Sequence, residues 1–175
     1  AAGYRSEQIV NYFSKNKFNK KVTIVDSGNA DIIKRIRDCL KYFKDEDFMV
    51  MYGDTLSNID VNEILKFHNK HKKPASLALW RLRSSFGIMT LDKRNKVVSY
   101  NEKPILDNWI NIGYFYFSNE LIPKIKKYDN FEKFITYLIN KENIYGYKHK
   151  GLHYTVNTED ELNQLTKDIH RLKKR

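Results

Sequence analysis

In the stretch VMYGDTLSNID, Val50 to Asp60, an apolar run stops at one carboxylate, Asp54, inside a Gly-Asp-Thr turn. A carboxylate at the C-terminal end of a strand sits where open α/β sheets hold their ligands. The competing role is a plain turn residue, since Gly-Asp pairs end strands for backbone reasons alone. Other chemistries lack their residues. The five histidines (His68, His71, His149, His153 and His170) form no H-E-x-x-H or Cys/His zinc spacing and are expected mostly at the surface. No nucleophile-elbow pattern supports Ser-His-Asp catalysis. The seven glycines form neither G-x-G-x-x-G nor the P-loop pattern, so no phosphate-cradling glycine loop is present in this chain.

The elements that would position Asp54 alternate in type. SEQIVNYF predicts a helix capped by Ser6, VTIVD (Val22 to Asp26) a strand, and Ala30 to Phe43 a helix by its apolar spacing. Phe48 to Tyr52 reads as a short buried strand, followed by a helix from Val61 to about His71 with Asp60 and Glu63 as a D-x-x-E capping box. This βαβ order implies a parallel sheet. After Pro74, ASLALWRL, FGIMTL and KVVSYNEKP are β-rich runs, the last two joined by the turn Asp92-Lys93-Arg94-Asn95, and suggest a mixed-sheet section. WINIGYFYF (Trp109 to Phe117) is a further strand. NELIPKIKKY and FEKFITYLIN then predict helices, IYGYKHK and LHYTV short strands, and TEDELNQLTKDIHRL a closing helix whose first turn takes Asp160. The expected architecture is one α/β domain over residues 1–175, a Rossmann-like mixed sheet with helices on both faces and an antiparallel elaboration. It lacks the first strand and phosphate loop with which such sheets open.

Composition sets the surroundings. With 41% apolar and 14% aromatic residues in 175, the chain can bury a sizeable core and is not of disordered type. The single Cys39 forms no internal disulfide and no 18-residue apolar run is present, so a reducing cytoplasm is the expected compartment. The net charge of +11 comes from lysines spread over many segments and dense only in HNKHKKP and the tail LKKR. That pattern fits a solvated basic surface attractive to anionic small molecules more than a nucleic-acid groove.

The order GYRSEQIVNYF, VTIVDSG, FMVMYGDTLSNIDVNEILKFHNKH, SSFGIMTLD, VVSYNEKP, WINIGYFYF, YTVNTEDEL resembles the nucleotidyltransferases that activate sugar 1-phosphates, and most of all the glucose-1-phosphate cytidylyltransferase-like branch. The likeness spans nearly the whole chain in one register. It implies a glycosyltransferase-A-like fold and transfer of a nucleoside monophosphate from an NTP, expected to be CTP, to a phosphorylated small molecule with release of pyrophosphate. The cofactor implied is Mg²⁺, which neutralises and aligns the phosphates for in-line attack.

By the same resemblance Asp54 stands at the family's metal-binding aspartate. Asn157, in Val156-Asn157-Thr158, stands where the family carries its second, aspartate, metal ligand. Glu102 and Lys103 occupy the Glu-Lys-Pro turn that contacts the acceptor, the carboxylate suited to hydroxyls, the ammonium to phosphate, with Pro104 fixing the turn. Gly87 and Gly113 match glycines that bring strand backbone against the sugar, and Asn111 is placed to bond an acceptor hydroxyl. Trp109 and Tyr114 either wall the pocket or belong to the core.

Departures from the family pattern are equally specific. The glycine-rich N-terminal signature, with its Arg and later Lys for the triphosphate, is absent from this chain, so the chain alone is expected to be inactive. SGNADIIKRI replaces a T-G-G segment. The acceptor is expected to be a sugar 1-phosphate for surface polysaccharide or capsule, with a non-sugar, amino-acid-derived phosphate as the alternative. Two other readings stay open: a non-catalytic basic module that docks nucleic acid through YGYKHKGLHY, and a pseudoenzyme that senses phosphorylated metabolites. Nucleic acid is not the expected partner, and a homo-oligomer is left open.

Overall fold

Four strands form the main sheet of the computed structural model, which describes residues 1–43 and 46–172. They are β1 (Phe48–Met51), β3 (Ala75–Arg83), β6 (Ile105–Phe117) and β7 (Tyr145–Lys148), ordered β1-β6-β3-β7. Two smaller antiparallel ladders join β2 (Thr55–Ser57) to β8 (His153–Thr155) and β4 (Ile88–Leu91) to β5 (Val97–Asn101). The helices are α1 (Ser6–Lys15), α2 (Ile32–Cys39), α3 (Val61–His71), α4 (Ile122–Ile125), α5 (Phe131–Tyr137) and α6 (Glu159–Leu172). The mixed α/β class is as expected from the alternating pattern. The simple βαβ adjacency is not: β6 lies between β1 and β3. Its ends show it antiparallel to β3, with Ser84 N–H bonded to the Pro104 carbonyl and Ser118 N–H to the Pro74 carbonyl, both at 2.9 Å.

Several local expectations shift for identifiable reasons. Ser6 is the first residue of α1 rather than its cap, because its hydroxyl donates to the Asp26 carboxylate while Arg5 takes the cap position at φ 55°. Among the described residues the backbone of the VTIVD segment bridges only to Ala2, through Ala2 N–H to the Val25 carbonyl at 2.7 Å and Ser27 N–H to the Ala2 carbonyl at 3.1 Å. One bridge is not a ladder, so this run is not a strand. The helix expected from Ala30 starts at Ile32, since the Asp31 side chain caps it by accepting from Ile33 N–H at 2.8 Å, and ends in a 3₁₀ turn, Leu40–Tyr42. NELIPKIKKY yields a 3₁₀ turn and the four-residue α4, and FEKFITYLIN finishes in a π-helical turn, Leu138–Glu142. The basic tail LKKR runs into 173–175, outside the described residues.

Chain contacts divide into two compact units. The first comprises Ala1–Val50, His68–Ser76 and Phe115–Tyr145. Its core is aromatic: Phe115 and Phe117, two apart on β6 and so on one face, are fully buried and stack at 5.6 Å, with Phe134 of α5 5.9 Å from Phe117. Each such ring contributes about 1.5–3 kcal/mol on burial.

The same unit contains a hydrogen-bonded chain whose proton order is fixed by its end. Lys73 N–H donates to His71 Nδ1 at 3.0 Å, so that nitrogen carries the lone pair and Nε2 carries the hydrogen. Nε2 then donates to Ser76 Oγ at 2.7 Å, Ser76 donates to His68 Nδ1 at 2.9 Å, and His68 Nε2 donates to Ser118 Oγ at 3.0 Å. Both imidazoles are therefore neutral, and burial holds both pKa values below the ordinary histidine value. The expectation that the histidines lie mostly at the surface is overturned: His68 and His149 are buried, His71 and His153 half-buried, and only His170 is exposed. Their hydrogen-bond partners make burial affordable for a ring that is largely apolar.

Candidate active site

The second unit comprises Met51–Phe67, Leu77–Tyr114 and Gly146–Arg175, and every residue expected to bind metal or acceptor lies in it. The β2–β8 ladder, in register Thr55↔Thr155, Leu56↔Tyr154 and Ser57↔His153, is prolonged by one rung, Val156 N–H to the Asp54 carbonyl at 2.8 Å. Asp54 therefore stands opposite Val156, and Asn157 is the next residue out. A hundred residues of chain separate the two expected metal ligands, and this short ladder brings their backbones to one end. Asp54 is exposed, in the turn after β1, where Thr55 Oγ1 ties back to the Tyr52 carbonyl at 3.2 Å.

Asn157 is held by a capping box that sequence reading passed over. Glu161 Oε2 accepts from Asn157 N–H at 2.7 Å and Thr158 N–H at 3.0 Å, while Glu161 N–H donates to Thr158 Oγ1 at 3.2 Å. The bond from the Asn157 backbone, with those to Thr158, keeps the Glu161 carboxyl below its usual range. The signal was legible as Thr158-x-x-Glu161, the pattern recognised at Asp60 and Glu63. At α3 the first half of that pattern forms, Asn62 N–H donating to Asp60 Oδ1 at 2.9 Å, while Glu63 pairs with Lys66 at 2.9 Å.

Gly113 and Asn111 meet the same corner from β6. Tyr52 N–H donates to the Gly113 carbonyl at 2.9 Å, two residues before Asp54. Gly113 has φ +77°, and a Cβ there would lie 2.6 Å from Tyr52 Cγ, so the position excludes any side chain twice over. Asn111 Oδ1 accepts from Gly113 N–H at 2.8 Å, bracing the irregular strand. Gly53 is different: a Cβ there would meet nothing within 4 Å and its φ is not positive, which leaves open space over the turn. Tyr114 is core, 7% exposed, and burial raises its pKa. Trp109 is half-buried with Arg81 and Lys148 at 5.4 and 5.1 Å from its ring.

Gly87, Glu102 and Lys103 form a second group. A Cβ on Gly87 would overlap the Tyr100 ring, and the Tyr100 hydroxyl donates to the Glu102 carboxylate. Lys103 is exposed, adopts φ 44° and makes no salt bridge among the described residues. Pro104 leads into β6, and Asn111 lies seven residues further on, at most roughly 25 Å of extended chain.

The other chemistries find no support in the geometry. Ser57 Oγ is 3.0 Å from His149 Nε2 but donates its proton to the Leu152 carbonyl at 2.8 Å, so it accepts from the imidazole and is not deprotonated by it. A depression along α5, lined among others by Asp129, Lys133 and Tyr137, belongs to the first unit and holds none of the expected residues. Among the described residues no three His, Cys, Asp or Glu side chains cluster as metal ligands. Mg²⁺ needs no such cage: one or two protein oxygens, substrate phosphates and water complete its octahedron. The all-oxygen pair Asp54 and Asn157 fits that requirement, with one charged donor and one neutral one.

The chain is similar to known proteins in sequence and in fold. The Bifunctional protein GlmU of Methanocaldococcus jannaschii is 30% identical over 157 residues, covering 85% of this chain and 37% of the relative. Glucose-1-phosphate cytidylyltransferase of Salmonella typhimurium is 32% identical over 107 residues, 59% of this chain and 41% of its own length. The crystal structure of HddC from Yersinia pseudotuberculosis superposes with a TM-score of 0.71 at 17% identity, over 95% of this chain and 76% of that one, a likeness of fold. The chain spans 29–42% of the length of the first curated relatives it matches. No helix of the described residues is long and apolar enough to cross a membrane. Residues 4–161 match the nucleotidyl transferase family, and the chain belongs to it.

Proposed function

We propose that this chain carries the metal-binding and acceptor-binding part of an enzyme that transfers a nucleoside monophosphate, CMP from CTP, to a sugar 1-phosphate destined for surface polysaccharide or capsule. The observation that supports this most is the meeting of Asp54 and Asn157 at one end of the β2–β8 ladder. An oxygen of the acceptor phosphate attacks the α-phosphorus of the NTP, the bond to the β-phosphate breaks, and pyrophosphate leaves with the negative charge. Asp54 and Asn157 would hold Mg²⁺, which when bound supplies charge neutralisation for the two phosphates. Lys103 pairs with the acceptor phosphate, and Glu102 and Asn111 accept or donate to its hydroxyls. The open space over Gly53 admits a phosphate close to the Asp54 turn.

The test is pyrophosphate release by the full-length protein, each of the four NTPs against hexose 1-phosphates and amino-acid-derived phosphates. Release with CTP and a hexose 1-phosphate, reduced about 10²–10³-fold by Asp54→Ala, is expected from losing one preorganised charge. Titration with Mn²⁺ without nucleotide gives a separate readout: Asn157→Asp tightens binding and Asp54→Asn abolishes it. A folded protein that releases no pyrophosphate with any pair refutes the reading, and RNA or sugar-phosphate binding would then replace it.

A further inference from the structure

Three neighbouring strands of the main sheet, β6, β3 and β7, bring a tryptophan and two cations together near Asn111. A Cβ on Gly146 would collide with Leu79 Cδ1, so those two residues share one face of the sheet, and strand alternation puts Lys148 and Arg81 there with them. The opposite face takes Tyr147, whose ring packs against Phe67 at 5.7 Å. Arg81 and Lys148 approach the Trp109 ring to 5.4 and 5.1 Å, which fixes Trp109 on the same face as the cations. Asn111 is exposed and follows Trp109 by two residues of β6, about 7 Å along the strand and on the same side of it. All four residues belong to the second unit.

The two cations differ in what answers them. Arg81 is committed: its Nε donates to the Leu106 carbonyl and its Nη2 to Asp107 Oδ1, both at 2.7 Å. Lys148 is exposed and makes no salt bridge among the described residues. The Trp109 ring attracts the Lys148 ammonium through its quadrupole and carries no net charge, so the ammonium is placed without being neutralised. The Arg81 guanidinium at the same ring repels it, and an anion received at Lys148 relieves that repulsion. We infer that Lys148, positioned by Trp109, binds a negatively charged group that the acceptor carries besides its reacting phosphate, a carboxylate or a second phosphate on the sugar. The inference rests on the acceptor-binding reading of Asn111 proposed above. The roughly 7 Å between Asn111 and Trp109 matches the span of one hexose with its exocyclic carbon, so a sugar whose hydroxyl bonds Asn111 extends its far end to the ring. An uncharged hexose leaves the Lys148 ammonium to water.

The test measures pyrophosphate release by the full-length protein with each NTP against three acceptors, in the gluco, galacto and manno series: the hexose 1-phosphate, the hexuronic acid 1-phosphate and the hexose 1,6-bisphosphate. A KM about 10-fold lower is expected for at least one of the doubly charged acceptors, the worth of one charge-assisted hydrogen bond at an exposed site, and the better of the two identifies the group. Lys148→Gln should abolish the difference in KM, and Lys148→Arg should keep it. Trp109→Leu should weaken the preference and Trp109→Phe restore most of it, as a positioning ring requires. Lys20→Gln, which removes an exposed cation from the first unit, should keep the preference whole, separating a local site from attraction by the net charge of +11. Equal KM values for singly and doubly charged acceptors, or a preference that survives Lys148→Gln, would overturn the inference while leaving the transfer reaction in place. No release from any pair would remove the reaction and the inference with it.

Discussion

Gly113→Ala separates a glycine required by the fold from one that the fold tolerates. At φ +77° an L-residue costs about 1–2 kcal/mol. The new methyl would also sit 2.6 Å from Tyr52 Cγ, and relief of that overlap means moving a half-buried ring, an overpacking cost of about 1–3 kcal/mol. The sum is a loss of about 2–5 kcal/mol, read as a lowered urea midpoint with an unchanged slope. Gly113→Asn recovers part of the dihedral cost, since Asn tolerates the left-handed region, but none of the collision. Gly53→Ala is the control. Its φ is not positive and its Cβ meets nothing within 4 Å, so stability stays within about 0.5 kcal/mol while substrate binding over the turn is impaired. A loss below about 1 kcal/mol for Gly113→Ala would refute the conformation assigned to β6 and with it the placement of Tyr52 beside Asp54.

Stability should fall with acid. His68, His71 and His153 have folded pKa values lowered first by burial, with His71, Lys73 and His149 adding to the effect and Asp47 opposing it at His68. The unfolded chain therefore binds protons first, and stability is full above about pH 6.5 and declines as pH falls through the depressed folded values, which urea melts at pH 8 and 5.5 would show. Ser76→Ala, which leaves a His71 N–H and a His68 lone pair without their bridge, should cost about 2–4 kcal/mol at pH 8. Equal midpoints at the two pH values would sink the account of the histidine chain. Lys103→Gly should raise stability by about 1 kcal/mol, because glycine accepts φ 44° freely, yet weaken binding of a hexose 1-phosphate, measured by calorimetry. Unchanged affinity would remove Lys103 from the site.

Periodicity made the longer elements legible. Val61 to His71 was bounded to the residue because Asp60 fixes its start and its apolar positions repeat at helical spacing. The Gly53-Asp54 stop was equally clear. What periodicity could not carry was partnership. VTIVD has the composition of a strand, but among the described residues its backbone bridges only to Ala2, and β2, three residues long, has no pattern of its own and exists because β8 pairs with it. The same limit hid the meeting of Asp54 and Asn157 from spacing alone. Only the ordered resemblance put both into one site, and the capping box at Thr158 and Glu161 that holds Asn157 was readable but unread. The histidines were misjudged because a ring nitrogen's partner, here Ser76, Ser118 or Ser57, leaves no trace in local sequence.

The backbone outliers bear on the residues that the resemblance assigns to the site. Among the described residues five non-glycine ones have positive φ: Arg5, Lys72, Asn95, Lys103 and Asn143. Four have a mechanical reason. Arg5 is in a turn closed by Ser6 N–H to the Gly3 carbonyl, Lys72 follows α3 with its N–H on the His68 carbonyl, Asn95 turns the β4–β5 hairpin, and Asn143 ends the π-helical turn. Lys103 has none of these. It stands before Pro104, which already restricts the preceding residue toward extended backbone, so a left-handed lysine there stores about 1–2 kcal/mol. Strain that the local chain does not need persists where a position is fixed for another purpose. In this chain it falls on the one cation expected at the acceptor phosphate, beside Glu102, while the other irregular point of β6, Gly113, adjoins Asn111 and the Asp54 turn. The two places where the strand and its approach leave regular geometry are the two places to which the proposed function assigns the substrate.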